Sequence, residues 1–224
     1  MAAGNGTRLR PLTLLIPKPL VPVAGRGTLL RLLDSLPSSV DRLIIVVGYL
    51  ADKIKEAVGS EYAGRPVVYV TQSALNGTGG ALRSAQPAIV SRRFFVLNGD
   101  DLYSKQDLET LAGLERGALV YPKTMDRPGE GWRIENGFLQ SLEPVAVGSS
   151  AYLNINAFVM GHEWFETTPV PVPTKPDEWS LPHALEQVFG RHKYRAFETK
   201  FWYPCGTIDE IRRAEEGLRQ ASQV

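Results

Sequence analysis

Leu29, Leu32, Leu33 and Leu36 recur at the i, i+3, i+4, i+7 spacing of one helix face. The run Leu43-Ile44-Ile45-Val46-Val47 that follows predicts a strand buried on both faces. Leu50, Ile54, Ala57 and Val58 return to helical spacing, and Val67-Val68-Tyr69-Val70 predicts a second strand. A helix is expected over 79–86, stopped by Pro87, before the strand Phe94-Phe95-Val96-Leu97. Ser104 with Asp107 three residues on caps a helix carrying Leu108 and Leu111, and 118–121 reads as a further strand. Strands alternating with helices imply right-handed crossovers and a largely parallel sheet.

The second half has a different pattern. Asn136-Gly137 between the strand-like runs 132–135 and 138–139 is a strong hairpin signal. Another strand is expected over 154–160, a helix near 180–189 and a strand near 194–198. Pro169, Pro171, Pro173 and Pro176 cannot share one regular element, so a surface loop is expected there. Thr207-Ile208-Asp209-Glu210 is a capping-box pattern opening a C-terminal helix.

Composition narrows the function classes. The chain has 224 residues, 43% hydrophobic and 22% charged, as in ordinary globular proteins. A net charge of +1 argues against binding nucleic acid by phosphate neutralisation. One cysteine, Cys205, excludes an internal disulfide, and three scattered histidines show no zinc spacing. The longest apolar run, 43–47, falls far short of the roughly 20 residues of a membrane span, so no membrane association is expected. The N-terminal residues lack the regions of a signal peptide, and a cytoplasmic protein is expected. Nothing in the sequence indicates an oligomeric state.

The chemistry concentrates in three stretches. Ala2-Ala3-Gly4-Asn5-Gly6-Thr7-Arg8-Leu9-Arg10-Pro11-Leu12-Thr13 is continued by Pro17-Lys18-Pro19-Leu20. Gly4 and Gly6 let backbone N–H groups approach an anion, and Arg8 and Lys18 add positive charge. This suits a triphosphate or its departing pyrophosphate, although a Gly-x-Gly alone also marks a flexible basic loop, and no Walker A lysine follows. In Gln72-Ser73-Ala74-Leu75-Asn76-Gly77-Thr78-Gly79-Gly80, the Gln72 amide can donate to and accept from a pyrimidine edge, and Gly77 lets the backbone approach a base. Read more plainly, this is a glycine-rich turn with an exposed glutamine. Asn98-Gly99-Asp100-Asp101 follows an apolar strand, where ligands of open α/β sheets gather. A carboxylate there can hold Mg²⁺ on phosphate oxygens; Asp101 reads as a solvated turn residue.

The opening stretch with its Pro-Lys-Pro-Leu continuation resembles the signature of sugar-1-phosphate nucleotidyltransferases, and the later landmarks follow in that family's order. The resemblance implies a three-layer α/β/α, Rossmann-like nucleotide-diphospho-sugar transferase fold with a mixed, mostly parallel sheet. It divides one domain into a nucleotide-binding half, about 1–122, and a sugar-binding half, about 123–224. The implied activity is NTP plus sugar 1-phosphate giving NDP-sugar and pyrophosphate, by in-line attack without a covalent enzyme intermediate. The Gln-x-x-x-x-Gly-Thr-Gly spacing resembles the base-reading segment of bacterial N-acetylglucosamine-1-phosphate uridylyltransferase and favours UTP, with dTTP and CTP open.

By that resemblance Ala2, Ala3, Gly4, Gly6, Thr7, Gln72, Gly77 and Thr78 bind the nucleotide, and Arg8 and Lys18 stabilise the leaving pyrophosphate. Asp100 is the metal ligand, and Asn98, Gly131, Glu143 and Asn154 hold the sugar. Many relatives have Glu-Lys-Pro where this chain has Leu142-Glu143-Pro144, removing a usual lysine partner of the sugar phosphate. Lys123 and Lys200 are candidate replacements, each also readable as a surface lysine. Pro204 stands where relatives place a second metal-binding aspartate, and Cys205 reads as a small packed residue. Only Met1 precedes the glycine loop, where the family has a strand, so either the chain begins late or the sheet lacks that strand. A chain extended by about six apolar residues there, a typical strand, is expected to be more stable and more active. Two other classes remain open on the sequence: a metal-dependent glycosyltransferase, which needs no pyrophosphate loop, and a non-catalytic nucleotide-sugar-binding protein.

Overall fold

A computed structural model describes residues 1–221. The chain divides into two compact units. The first comprises Met1–Leu75, Asn98–Leu108 and the chain from Phe201 onward; the second comprises Asn76–Leu97 and Glu109–Lys200.

In the first unit the strand Leu43–Val47 pairs in parallel with Arg65–Thr71, and the short strand Glu61–Tyr62 pairs antiparallel with the latter. Only Ile44 of Leu43–Val47 is less than fully buried, as a continuous apolar run requires. The helix Thr28–Ser35 buries Leu29, Leu32 and Leu33, and the helix Ala51–Val58 buries Ile54 and Val58. Ala2 forms a single parallel bridge with Val47. Ala2 N donates to Val46 O at 2.8 Å, and Met1 O accepts from Gly99 N at 2.8 Å. The residues before the glycine loop thus run strand-like between Leu43–Val47 and the turn at Gly99.

A second, two-stranded element of this unit pairs Asp101–Tyr103 antiparallel with Trp202–Pro204. Behind it the helix Ile208–Ala221 buries Ile211 and Ala214 against Leu9, Val21, Val23, Leu102 and Cys205. The expected cap is present: Glu210 N donates to Thr207 Oγ1 at 3.3 Å. The Glu210 carboxylate in turn accepts from Gly206 N at 2.8 Å.

The second unit carries a six-stranded sheet in the order Arg93–Val96, Ser150–Gly161, Gly117–Thr124, Arg195–Glu198, Phe138–Val145, Gly129–Glu135. Its one parallel pairing is Arg195–Glu198 with Gly117–Thr124. The sheet is therefore mixed, as expected, but not mostly parallel. Gly129–Glu135 turns straight back into Phe138–Val145 instead of crossing over through a helix, and Ser150–Gly161 returns antiparallel beside Gly117–Thr124 and Arg93–Val96. The Asn136-Gly137 hairpin is one such return, with both residues at positive φ, 52° and 79°. The proline-rich stretch is not wholly loop either, since Pro171–Val172 pairs with Lys175–Trp179. Among the described residues no helix is long and apolar enough to cross a membrane.

Candidate active site

The glycine loop of the first unit turns at Gly6, whose φ of +61° suits glycine. A Cβ at Gly6 would lie 2.9 Å from Thr13 Cγ2 and 3.0 Å from Lys18 Cβ, so a side chain there would press on the segment that carries Lys18. Thr13 Oγ1 donates to Gly6 O at 2.7 Å and holds the loop to that segment. Gly4 has open space beside it, while Ala2 and Ala3 are buried. Thr7 and Arg8 are exposed at the head of the one-turn helix Thr7–Leu9.

Lys18 Nζ forms an ion pair with Asp100 Oδ2, both side chains being largely buried. Gly206 completes the group. A Cβ built there would lie 2.8 Å from Arg8 Nη2, 3.0 Å from Glu210 Oε2 and 3.2 Å from Lys18 Nζ. The structure thus brings Arg8, Lys18 and Asp100 to one spot and adds Gly206 and Glu210. The motifs did not single these two out, although the capping-box pattern contained the glutamate.

Asp101 corrects the reading of a solvated turn residue. It is 4% exposed. Its Oδ2 accepts from Asn98 Nδ2 at 3.1 Å, Trp202 Nε1 at 3.1 Å and the Tyr103 hydroxyl at 3.4 Å. Burial, then the neighbouring charge of Asp100, pushes its carboxyl up to about 7. Asn98 N also donates to the Tyr103 hydroxyl at 3.3 Å. Gln72 is buried just past the end of Arg65–Thr71, its backbone N donating to Val47 O at 2.8 Å.

Among the described residues no group of three or more His, Cys, Asp and Glu side chains is arranged to hold a metal ion. Pro204 offers no side-chain ligand, and burial pushes the Cys205 thiol up to about 12, leaving it a packed, protonated residue. Asp100 offers carboxylate oxygens. That donor set fits Mg²⁺, which is commonly held by one or two carboxylates and substrate phosphates instead of an all-protein cage.

In the second unit the helix Gly77–Ala85 starts at a glycine with φ of +82°. A Cβ at Gly77 would lie 2.6 Å from Trp179 O and 2.8 Å from Trp179 N. The glycine is therefore required by the backbone of the strand Lys175–Trp179, whatever else approaches it. Thr78 Oγ1 accepts from Leu181 N at 3.2 Å. Gly131 and Glu143 are cross-strand partners, and a Cβ at Gly131 would lie 2.9 Å from Ala151 Cβ. Glu143 accepts from Arg133 Nε at 2.8 Å and Ser141 Oγ at 2.8 Å in an exposed cluster. Asn154 sits where the strand Ser150–Gly161 bulges, its amide donating to Asn156 Oδ1 at 3.1 Å. Lys123 pairs with Asp126 at 3.3 Å, and Lys200 is exposed.

Residues 1–116 match the family model described as nucleotidyl transferase. The chain is 26% identical over 225 residues to the bifunctional protein GlmU of Methanocaldococcus jannaschii, covering 97% of this chain and 53% of that protein. It is 36% identical over 105 residues to the UTP–glucose-1-phosphate uridylyltransferase AglF of Haloferax volcanii, covering 46% and 43% of the two chains. It thus spans about half the length of the archaeal relatives it matches. Among solved structures, UDP-glucose pyrophosphorylase from Acinetobacter baumanii shares the fold, with a TM-score of 0.77, 17% identity and coverage of 99% and 96%. The matched stretch holds the glycine loop, Lys18 and Asp100, and the chain belongs to the nucleotidyl transferase family.

Proposed function

We propose that the chain transfers a nucleotidyl group from a nucleoside triphosphate, with UTP favoured, to a sugar 1-phosphate. A phosphate oxygen of the sugar 1-phosphate bonds to the α-phosphorus. The bond from the α-phosphorus to the bridging oxygen breaks, and its electron pair leaves with pyrophosphate. The observation that carries this reading is the convergence of Arg8, Lys18 and Asp100 around Gly206. Two cations beside Gly206, one of them paired to Asp100, suit a leaving group that gains negative charge, so catalysis rests on positioning and charge neutralisation without a protein nucleophile.

Asp100 would hold Mg²⁺, and that ion, when bound, neutralises phosphate oxygens. Gly4, Gly6 and Thr7 would offer backbone N–H groups to the phosphates, beside the buried Ala2 and Ala3. Gln72, at the carboxyl end of a parallel strand, would read the base with Gly77 and Thr78. Asn98, Gly131, Glu143 and Asn154 would hold the sugar, the nucleotide half being about 1–122 and the sugar half about 123–224. The test is pyrophosphate release on mixing each of UTP, dTTP, CTP, ATP and GTP with a panel of sugar 1-phosphates. Release with no pair would refute the reading, as would sugar transfer from an NDP-sugar without pyrophosphate.

Two variants check the assignments. Asp100→Asn keeps the shape of the site but weakens its hold on Mg²⁺, so the magnesium concentration giving half-maximal rate is expected to rise. An unchanged magnesium titration would remove Asp100 as ligand. Gln72→Ala is expected to reduce the preference for UTP over ATP by about 10-fold, the effect of leaving one buried polar edge unpaired. A parent that uses ATP and UTP equally well would refute this base assignment.

A further inference from the structure

Asp101 is a buried carboxylate that the proposed reaction leaves unused. Its three donors converge on one oxygen from both sides of Asp100: Asn98 precedes it, and Trp202 belongs to the partner strand. Pro204 lies directly opposite Asp101 in that pairing, and Cys205 N donates to Asp100 O at 3.2 Å. One carboxylate oxygen therefore ties the turn holding Asp100 to the strand that leads into Gly206, where Arg8, Lys18 and Glu210 gather. Burying a carboxylate is costly and is repaid only by well-placed donors. A packing role alone would be met by an apolar side chain, which would leave the Trp202 indole and the Asn98 amide without this acceptor.

We propose that Asp101 is a positioning residue: it sets Asp100 and Gly206 at the separation at which Asp100, Arg8 and Lys18 address the same triphosphate. The proposal rests on the nucleotidyl-transfer reading above. Its chemistry is that of an internal clamp, and Asp101 itself touches no reacting atom. Misplacing a catalytic group by about 1 Å costs on the order of 100-fold, so loss of the clamp is read in turnover.

The experiment compares Asp101→Asn, Asp101→Ala and Trp202→Phe with the parent. It measures kcat, KM, the magnesium concentration for half-maximal rate, UTP binding by calorimetry with and without Mg²⁺, and thermal midpoint. Asp101→Asn retains an oxygen acceptor and is expected to keep kcat within about 3-fold, whereas Asp101→Ala should lose about 10-fold or more. In Asp101→Ala the magnesium requirement should rise and UTP binding with Mg²⁺ should weaken, while UTP binding without Mg²⁺ stays as in the parent. A merely structural role would lower the thermal midpoint and leave these quantities unchanged in the folded protein, which would overturn the proposal. Equal impairment of Asn and Ala would also overturn it, because charge and not the clamp would then matter. If Asp101→Ala does not fold, Trp202→Phe removes one donor and must still raise the magnesium requirement. A parent that binds UTP with Mg²⁺ but releases no pyrophosphate refutes the activity reading alone, and the binding measurements then decide on Asp101. A parent that binds no UTP overturns both.

Discussion

Replacing Lys18 by alanine is expected to lower kcat by about 100-fold or more, the magnitude seen when one preorganised charge-stabilising donor is removed. Lys18 Nζ is paired to Asp100 and lies beside Gly206 with Arg8 Nη2, so in the proposed reaction its charge would face the departing pyrophosphate. Charge on that group grows along the reaction, so the loss falls on the transition state and KM for the triphosphate moves less than kcat. The Lys18 and Asp100 side chains are 15% and 22% exposed, so the alanine variant also leaves a largely buried carboxylate without its partner. Lys18→Met leaves the same carboxylate unpaired but keeps the stem, so it separates loss of charge from loss of packing and should lose turnover to a similar degree. Initial rates of pyrophosphate release check both variants beside thermal midpoints. A folded Lys18→Ala protein with unchanged turnover would take Lys18 out of the mechanism.

The elements readable in the sequence are those fixed by neighbours a few residues away. The Leu29–Leu33 periodicity, the apolar run Leu43–Val47 and the Asn136-Gly137 turn each carry their own instruction, and each appears within a residue or two of its expected place. The Ser104 cap behaves likewise, with Asp107 N donating to Ser104 Oγ at 3.2 Å. Features set by distant chain were not readable. Asp101 in Asn-Gly-Asp-Asp looks like a solvated turn because nothing local buries it; Trp202, a hundred residues on, supplies a donor for its carboxylate. Gly77 looked like an opening for a base, yet its missing side chain is first required by Trp179.

The site divides in the same way. The family resemblance implies one site for Arg8, Lys18 and Asp100, and the chain folds Lys18 onto Asp100 and Arg8 beside Gly206. Gly206 and Glu210 could not be read in this way, because a capping box explains Thr207 and Glu210 without reference to any ligand. Strand direction in the second unit divides in the same way: the Asn136-Gly137 return is local and readable, whereas the antiparallel pairing of Ser150–Gly161 with Arg93–Val96 and Gly117–Thr124 is set by distant chain.

Removing the carboxylate of Glu163 is expected to be strongly destabilising. Glu163 Oε1 accepts from Arg116 Nε at 2.6 Å, from the Tyr194 hydroxyl at 2.6 Å and from Gly161 N at 3.2 Å. Tyr194 is fully buried and Glu163 is 7% exposed. Glu163→Ala leaves the arginine and the phenol without their acceptor, which costs about 3–5 kcal/mol for a broken buried pair. Glu163→Gln keeps an acceptor and should cost less, about 1–3 kcal/mol. The pH dependence follows from the same contacts. Burial alone would raise the Glu163 carboxyl, but the hydrogen bonds from Arg116 and Tyr194 outweigh it and hold the group at about 2, against 4.5 ordinarily. A carboxyl depressed in the folded state contributes its stability in full above pH 4.5 and loses it as the pH falls from there towards 2. That shift corresponds to about 3 kcal/mol, in line with the cost of breaking the pair. Urea unfolding of the parent and Glu163→Gln at pH 7, 4 and 3 should therefore show a stability gap that narrows as the pH falls. A gap that stays constant over this range would mean that the Glu163 charge is not what holds Arg116 and Tyr194.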